Sequence, residues 1–155
     1  METIRFDDLE RLRSKVSQEF SAWSKPIEVT QEKINEFADV TGDHQWIHVD
    51  VERAKRESPF RTPVAHGFLT LSLLPAFEIE RGWTVTGFRN VVNYGGNKLR
   101  FINPVPAGSK VQARSRIAAV DSRPQGTQIT QETQVQVVGQ DKPALIYEGI
   151  FLYVK

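Results

Sequence analysis

Two short stretches hold the residues whose types and spacing could do chemistry. Thr41-Gly42-Asp43-His44-Gln45-Trp46-Ile47-His48 sets a carboxylate and an imidazole five residues apart in what reads as a loop, and Ala65-His66-Gly67 then opens the apolar run Phe68 to Ile79. An imidazole titrates near neutrality and a desolvated carboxylate can be raised toward it, so Asp43 and His48 could grip one water and shuttle its protons. Each such group is typically worth about 10²–10⁴-fold in rate. The backbone N–H of Gly67, at the start of a helix, is a candidate oxyanion donor, because a glycine lets substrate approach closely. Together these residues are the equipment of acid–base chemistry on a carbonyl compound.

Each of them also has a plainer reading. Asp43 directly after Gly42 is an ordinary turn or cap residue, and His66 before a helix is either a contact to substrate or a structural hydrogen-bonding group. Gly67 can serve only to let the helix pack closely on a sheet. His44-Gln45-Trp46-Ile47-His48 imitates the zinc-protease pattern His-Glu-x-x-His, but Gln45 replaces the base and His66 is the only histidine left. No metal is expected on that count, and His44 reads as solvated or as a neighbour of the reacting pair. Lys98 and Arg100 alternate onto one face of a strand, where they could meet phosphates or simply water. Asn93, Tyr94 and Asn97 lie beside them around Gly95-Gly96.

The elements that must position these residues run helices first, strands afterwards. Phe6, Leu9, Leu12, Val16 and Phe20 at helical spacing predict an amphipathic first helix, and residues 1–24 an N-terminal helical segment packed on the rest. Ile27 and Val29 follow Pro26 as a short extended piece. Thr30 can cap a second helix with Ile34, Phe37 and Ala38 inward, and Gly42 suits the left-handed position past its end. Val51 to Glu57 predicts a helical turn or two before Ser58-Pro59 and Thr62-Pro63. Apolar residues from Gly67 to Ile79 cover nearly the whole circumference, which predicts a long buried central helix with Pro75 as its one irregularity. Five strand candidates then follow: Val85 to Tyr94, Lys98 to Ile102, Ser109 to Asp121, Thr127 to Val138 and Ala144 to Val154. Val111, Ala113, Ile117 and Ala119 recur with mainly even spacing, as a sheet covered on one face requires. The order predicts an α+β fold, a curved antiparallel β-sheet wrapped around the long helix.

Composition narrows the function. The chain has 155 residues, the size of one domain, 1–155, with a sizeable core. Twenty basic residues against nineteen acidic leave a formal charge of +1 with no block of one sign, so neither nucleic acid nor a membrane surface is an expected partner. The absence of cysteine excludes disulfides, thiol catalysis and thiolate metal sites. No segment reads as a signal peptide or approaches the roughly 20 apolar residues of a membrane span. A cytoplasmic location is the expectation.

Three separated blocks, Gly42 to His48, Ala65-His66-Gly67-Phe68-Leu69-Thr70-Leu71-Ser72-Leu73-Leu74, and Val92-Asn93-Tyr94-Gly95 with Lys98-Leu99-Arg100-Phe101, resemble the MaoC-like (R)-specific enoyl-CoA hydratase family, particularly the branch similar to nodulation protein N. The resemblance is strong from about Thr30 to Pro106 and looser over the remaining strands. It implies a hot-dog fold, dimers sharing a continuous sheet, and reversible hydration of a trans-2-enoyl thioester to the (R)-3-hydroxyacyl thioester. The substrate would be an acyl-CoA or acyl-carrier-protein thioester, with no cofactor, coenzyme A being part of the substrate. The family's Asp and His stand at the spacing of Asp43 and His48. Gln45 and Trp46 occupy places where the commoner Asp-x-Asn-Pro-x-His motif has Asn and Pro, so the turn between acid and base is differently built. The resemblance places the turn of Asn93 and Tyr94 near the site. Two other functions remain open: a hot-dog acyl-CoA thioesterase, in which a carboxylate commonly sits early on the central helix, and a noncatalytic acyl-binding protein, which would not need Asp43 and His48. Leu145 to Val154 is apolar on both faces, and a lone domain would leave part of it wet, which predicts a homodimer or a dimer of dimers.

Overall fold

The computed structural model describes residues 1–155. Strands β2 (Ile27–Val29), β5 (Ser109–Arg123), β6 (Gly126–Val137), β7 (Leu145–Val154) and β4 (Asn90–Phe101) form one sheet in that spatial order, every pair antiparallel. The two-residue period of β5 explains its faces: Val111, Ala113, Ser115 and Ile117 are buried, whereas Gln112, Arg114 and Arg116 point away. Val111 stands opposite Val137 and Ala113 opposite Val135, so the buried rows of β5 and β6 merge into one core with Ile34, Leu69, Phe77 and Leu145. Each of the valine, isoleucine, leucine and phenylalanine side chains contributes about 1.5–3 kcal/mol when fully withdrawn from water.

Helix α2 (Gln31–Thr41) follows the capping logic of the sequence. Lys33 N–H donates to Thr30 Oγ1 at 3.2 Å, and Gly42, at φ 79°, donates its N–H to Ala38 O at 2.8 Å. Helices α3 (Trp46–Val49) and α4 (Val51–Glu57) come next, α4 capped by Asp50, whose carboxylate accepts from Arg53 N–H at 3.0 Å.

Three expectations are corrected. The long central helix is short: α5 spans Gly67–Ser72, and a 3₁₀ turn over Leu74–Ala76 completes the helical stretch. Pro75 is the cause, since it has no N–H for the Leu71 carbonyl and its ring disfavours helical geometry at Leu74. Its burial is also partial. Leu69, Thr70 and Phe77 are buried, but Phe68 is 63 % exposed on the side that this chain leaves uncovered.

The N-terminal helical segment is replaced by a strand, a turn of helix and a strap. Strand β1 (Glu2–Arg5) pairs in parallel with β3 (Trp83–Thr86), and α1 is only Leu9–Arg13. The strap then runs along the edge of β5: Ser17, Ser21 and Ser24 N–H groups donate to Ile117, Ser115 and Ala113 carbonyls, while Ser21 and Ser24 hydroxyls accept from Ser115 and Ala113 N–H. Serines bond backbone readily outside helices, and here they close a sheet edge.

Gly95-Gly96, read as a break between strands, lies inside the continuous β4 as a pair of bulges. A Cβ on Gly96 would stand 2.5 Å from the Tyr147 ring, whose hydroxyl donates to Gly95 O at 2.9 Å, so the glycines admit that ring rather than turn the chain. The remaining break falls at Gly87, at φ 79°, which divides the expected Val85 to Tyr94 strand between β3 and β4.

Candidate active site

Asp43 is the first residue beyond the glycine that ends α2. Its N–H donates to Thr41 Oγ1 at 3.4 Å and its Oδ1 accepts from Gln45 N–H at 3.3 Å, so the residue serves in the turn as well as facing the site. It is exposed, and this chain alone does not supply the desolvation expected for its carboxylate. His48 is not in a loop: it lies on the one-turn helix α3 and is 8 % exposed. Trp46, at the start of that turn, carries the Arg53 guanidinium 4.4 Å above its ring, tying α3 to α4.

Hydrogen bonds to carbonyl groups settle both imidazole tautomers. His48 Nδ1–H donates to Val64 O at 2.6 Å, which turns the Nε2 lone pair outward. His66 Nε2–H donates to the Asp43 carbonyl at 2.9 Å, leaving its Nδ1 buried and without a partner. The two rings stack with centroids 3.9 Å apart and planes 26° from parallel. One ligating atom each of Asp43, His48 and His66 lies within 4.8 Å of the others. Burial, more than any other cause, pulls His48 below the ordinary imidazole value, the neighbouring His66 adds to the effect, and the bond to Val64 and the Asp43 charge oppose it. A neutral imidazole with an outward lone pair beside a carboxylate can accept both hydrogens of one water. Three lone-pair groups so close could also share a cation.

Gly67 opens α5 directly after His66, and as the first helical residue its N–H has no partner within the helix. A Cβ there would stand 2.9 Å from the Phe101 ring, so the glycine is required for packing, and its plainer reading holds at least in part. A cavity of about 220 Å³ lies beside it, lined among others by Phe60, Ala65, Thr70, Phe101 and Ile102.

The structure thus brings together Asp43, His48, His66 and Gly67 from the first two blocks. It does not bring the third. Asn93, Tyr94, Lys98 and Arg100 are exposed along β4, hydrogen-bond to no member of the cluster and do not line the cavity. His44 stands apart, exposed, its Nε2 2.8 Å from Asp39 Oδ1, and that carboxylate raises its pKa. Two groups escaped the sequence reading. The Val64 carbonyl fixes the His48 tautomer, and a backbone carbonyl has no signature in sequence. Gln31, first in α2, donates from Nε2 to the His48 carbonyl at 2.7 Å, and a glutamine at a helix start gives no cue in sequence to that reach.

Comparison with known proteins gives one family and several relatives. Residues 14–140 match the MaoC like domain. The 3-hydroxyacyl-thioester dehydratase Z of Mycobacterium tuberculosis (strain ATCC 25618 / H37Rv) is 51 % identical over 129 residues, covering 83 % of this chain and 84 % of that one. Nodulation protein N of Rhizobium meliloti (strain 1021) is 41 % identical over 149 residues, covering 94 % of this chain and 88 % of the relative. Among solved structures, the monoamine oxidase regulatory protein from Archaeoglobus fulgius superposes with a TM-score of 0.76 at 24 % identity, covering 100 % of this chain and 97 % of that one, a likeness of fold.

Proposed function

The chain belongs to the MaoC-like dehydratase family and is a hydro-lyase with the hot-dog fold, and from that premise we propose that it adds water reversibly to a trans-2-enoyl thioester, giving the (R)-3-hydroxyacyl thioester. The observation that carries the site assignment is the outward Nε2 of a neutral His48 beside the Asp43 carboxylate. The pair holds one water and takes a proton from it as its oxygen attacks C3. The charge that develops on the thioester oxygen is met by the Gly67 N–H, a donor of a kind worth about 3 kcal/mol when aimed at an oxyanion. The pair then returns a proton to C2, so it ends as it began and the same groups serve dehydration in reverse. His66 is a positioning residue: it ties the Asp43 backbone to the start of α5 and stacks on the base.

A second copy of the chain completes this reading. Strand β4 ends the sheet and exposes Val91, Val92, Tyr94 and Phe101, with Phe68 of α5 against Phe101 at its end. Such an edge is a template for pairing, and a partner there would desolvate apolar surface that this chain leaves wet. Asn93 and Tyr94 are proposed as substrate contacts on that strand, and Lys98 and Arg100 as contacts for coenzyme A phosphates.

The test is a panel of trans-2-enoyl-CoA thioesters of graded chain length, followed for loss of the conjugated double bond and for free thiol. Hydration without thiol release is expected. Thiol release in step with substrate loss would make the protein a thioesterase, and no turnover on any chain length would leave an acyl-binding protein. The first residues of α5 hold threonine and serine but no carboxylate, as a hydratase and not a helix-borne thioesterase requires.

A further inference from the structure

Thr70 is a buried hydroxyl residue that the chemistry above does not use. It stands one turn beyond Gly67 in α5, so the two residues share a face of the helix. A hydroxyl in a helix commonly donates to the carbonyl four residues earlier, as Thr41 does to Phe37 O and Ser72 to Phe68 O, both at 2.7 Å. Thr70 does not. The His66 carbonyl takes the N–H groups of Leu69 and Thr70 instead, and the Thr70 hydroxyl bonds to nothing in the chain. Although the residue is only 3 % exposed, its Oγ1 is not sealed, because the unpartnered side-chain atoms cut off from water are His66 Nδ1 and Arg81 Nε alone. What surface Thr70 shows faces the cavity of about 220 Å³ beside Gly67.

The cavity has one more free polar group. Asn103 donates from Nδ2 to Pro143 O at 3.0 Å, which fixes the orientation of its amide and leaves Oδ1 as an acceptor without a partner. Phe60, Val64, Phe101, Ile102 and Val105 make up most of the remaining wall, Phe60 and Ile102 reach the surface, and no charged side chain lines the space. A hydroxyl that can donate and an amide oxygen that can accept, set in an apolar wall, complement a secondary amide, which offers one C=O and one N–H. The volume falls below the roughly 300–1,000 Å³ of a site for a whole small ligand, so the cavity takes a segment of one.

Gly67 borders the cavity, and Asp43, His48 and His66 do not. The direction of the substrate follows from this and rests on the hydratase reading. With the thioester carbonyl at the Gly67 N–H and C3 at Asp43 and His48, the acyl side runs to the catalytic pair, and the sulfur side is left for the cavity. Coenzyme A and an acyl-carrier protein present the same pantetheine arm there, with a secondary amide two methylenes from the sulfur. We propose that this cavity takes the sulfur end of the pantetheine arm, the Thr70 hydroxyl donating to the carbonyl of that amide and Asn103 Oδ1 accepting its N–H. Thr70 is thus a substrate-binding residue that selects thioesters by their arm and not by their acyl chain.

The experiment measures kcat/KM for hydration of two trans-2-butenoyl thioesters, one of N-acetylcysteamine, which carries that amide, and one of pentanethiol, which has the same length without it. Wild type is compared with Thr70→Val, which removes the hydroxyl at nearly constant shape, and with Thr70→Ser, which keeps it. The ratio of amide-bearing to alkyl thioester is expected to fall about tenfold in Thr70→Val, the size of one lost hydrogen bond, and to persist in Thr70→Ser, with circular dichroism showing both folded. A ratio that Thr70→Val leaves unchanged, whether the two rates hold or fall together, overturns the assignment, as does a ratio equally low in Thr70→Ser. Should Thr70→Val not fold, wild type decides, and an alkyl thioester turned over as well as the amide-bearing one overturns the assignment. The loss in Thr70→Val should be equal on the coenzyme A and acyl-carrier-protein thioesters, whose arms are the same, and the one that wild type turns over faster is the source of the arm. Should wild type hydrate none of these thioesters, the hydratase reading fails by itself, and binding of the two saturated butanoyl analogues by titration calorimetry, judged by the same ratio, decides the cavity.

Discussion

At the scale of single residues, the proposed mechanism requires that neither Asp43 nor His48 be dispensable and that the two act as a unit. Asp43→Asn and His48→Gln keep size and hydrogen bonding but cannot exchange protons near neutrality, so folded variants are expected to lose about 10²-fold or more in kcat/KM. The double variant should be little worse than the poorer single one, because both groups act on one water. Retention of more than a third of wild-type kcat/KM by either folded single variant would contradict the mechanism. The pH profile follows from the same geometry. In the proposed mechanism His48 acts as a neutral base, and burial holds its pKa below the ordinary 6.5. Activity should therefore persist as pH falls through 6.5 and be lost only lower, as the imidazole takes up a proton. An acid limb of kcat/KM centred above 6.5 would show that another group controls the rate. The stability effect has the same sign, since an unfolded chain binds that proton more readily, so acid destabilises the fold through this residue.

At the scale of elements, the serine strap is the feature with the most direct consequence. Ser24 Oγ accepts from the buried Ala113 N–H at 3.0 Å. Ser24→Ala strands that donor and should cost about 1–3 kcal/mol, roughly 2–4 °C in Tm for each kcal/mol in a chain of this size. An unchanged melting temperature would mean that the strap adds nothing to the sheet. This strap also shows where sequence reading stops. The caps of α2 and the alternation of β5 were legible because they depend on local spacing: Thr30 before the helix, Gly42 after it, Val111 and Ala113 two apart. Phe6 to Phe20 has equally good helical spacing, yet only Leu9–Arg13 is helical and from Ser17 the chain lies along β5, because Ser17, Ser21 and Ser24 bond backbone groups of a strand far along the chain. The central helix failed for another reason. Its apolar circumference predicts burial, while Phe68 remains uncovered in this chain, and Pro75 ends the helix instead of bending it. In the site, Asp43 and His48 were legible from residue type, but the Val64 carbonyl and Gln31 were not, being defined by where they fall in space.

At the scale of the whole molecule, the exposed apolar surface belongs to β4 and not to β7, where the sequence pattern placed it. Strand β7 lies between β6 and β4, and its side chains are buried or half-buried. A homodimer formed through β4 is therefore expected at micromolar concentration. Val92→Lys, which puts a charge on that edge, should give a monomer by sedimentation and lower hydration with it. A wild-type monomer, or a Val92→Lys variant that still dimerises, would argue against this edge. The backbone around the site has a dynamic counterpart to these static contacts. Val64 N–H donates to Ile47 O at 3.1 Å, Ala65 N–H to Val105 O at 2.8 Å and Ala107 N–H to Pro63 O at 2.9 Å, so the 63–65 segment is laced on one side to the helix bearing His48 and on the other to the 105–107 loop. Freeing one lace loosens the others, and the segment that holds the imidazole in its working tautomer cannot open by itself. Solvent deuterium should therefore reach the Val64, Ala65 and Ala107 amides at a common rate, as one cooperative unit.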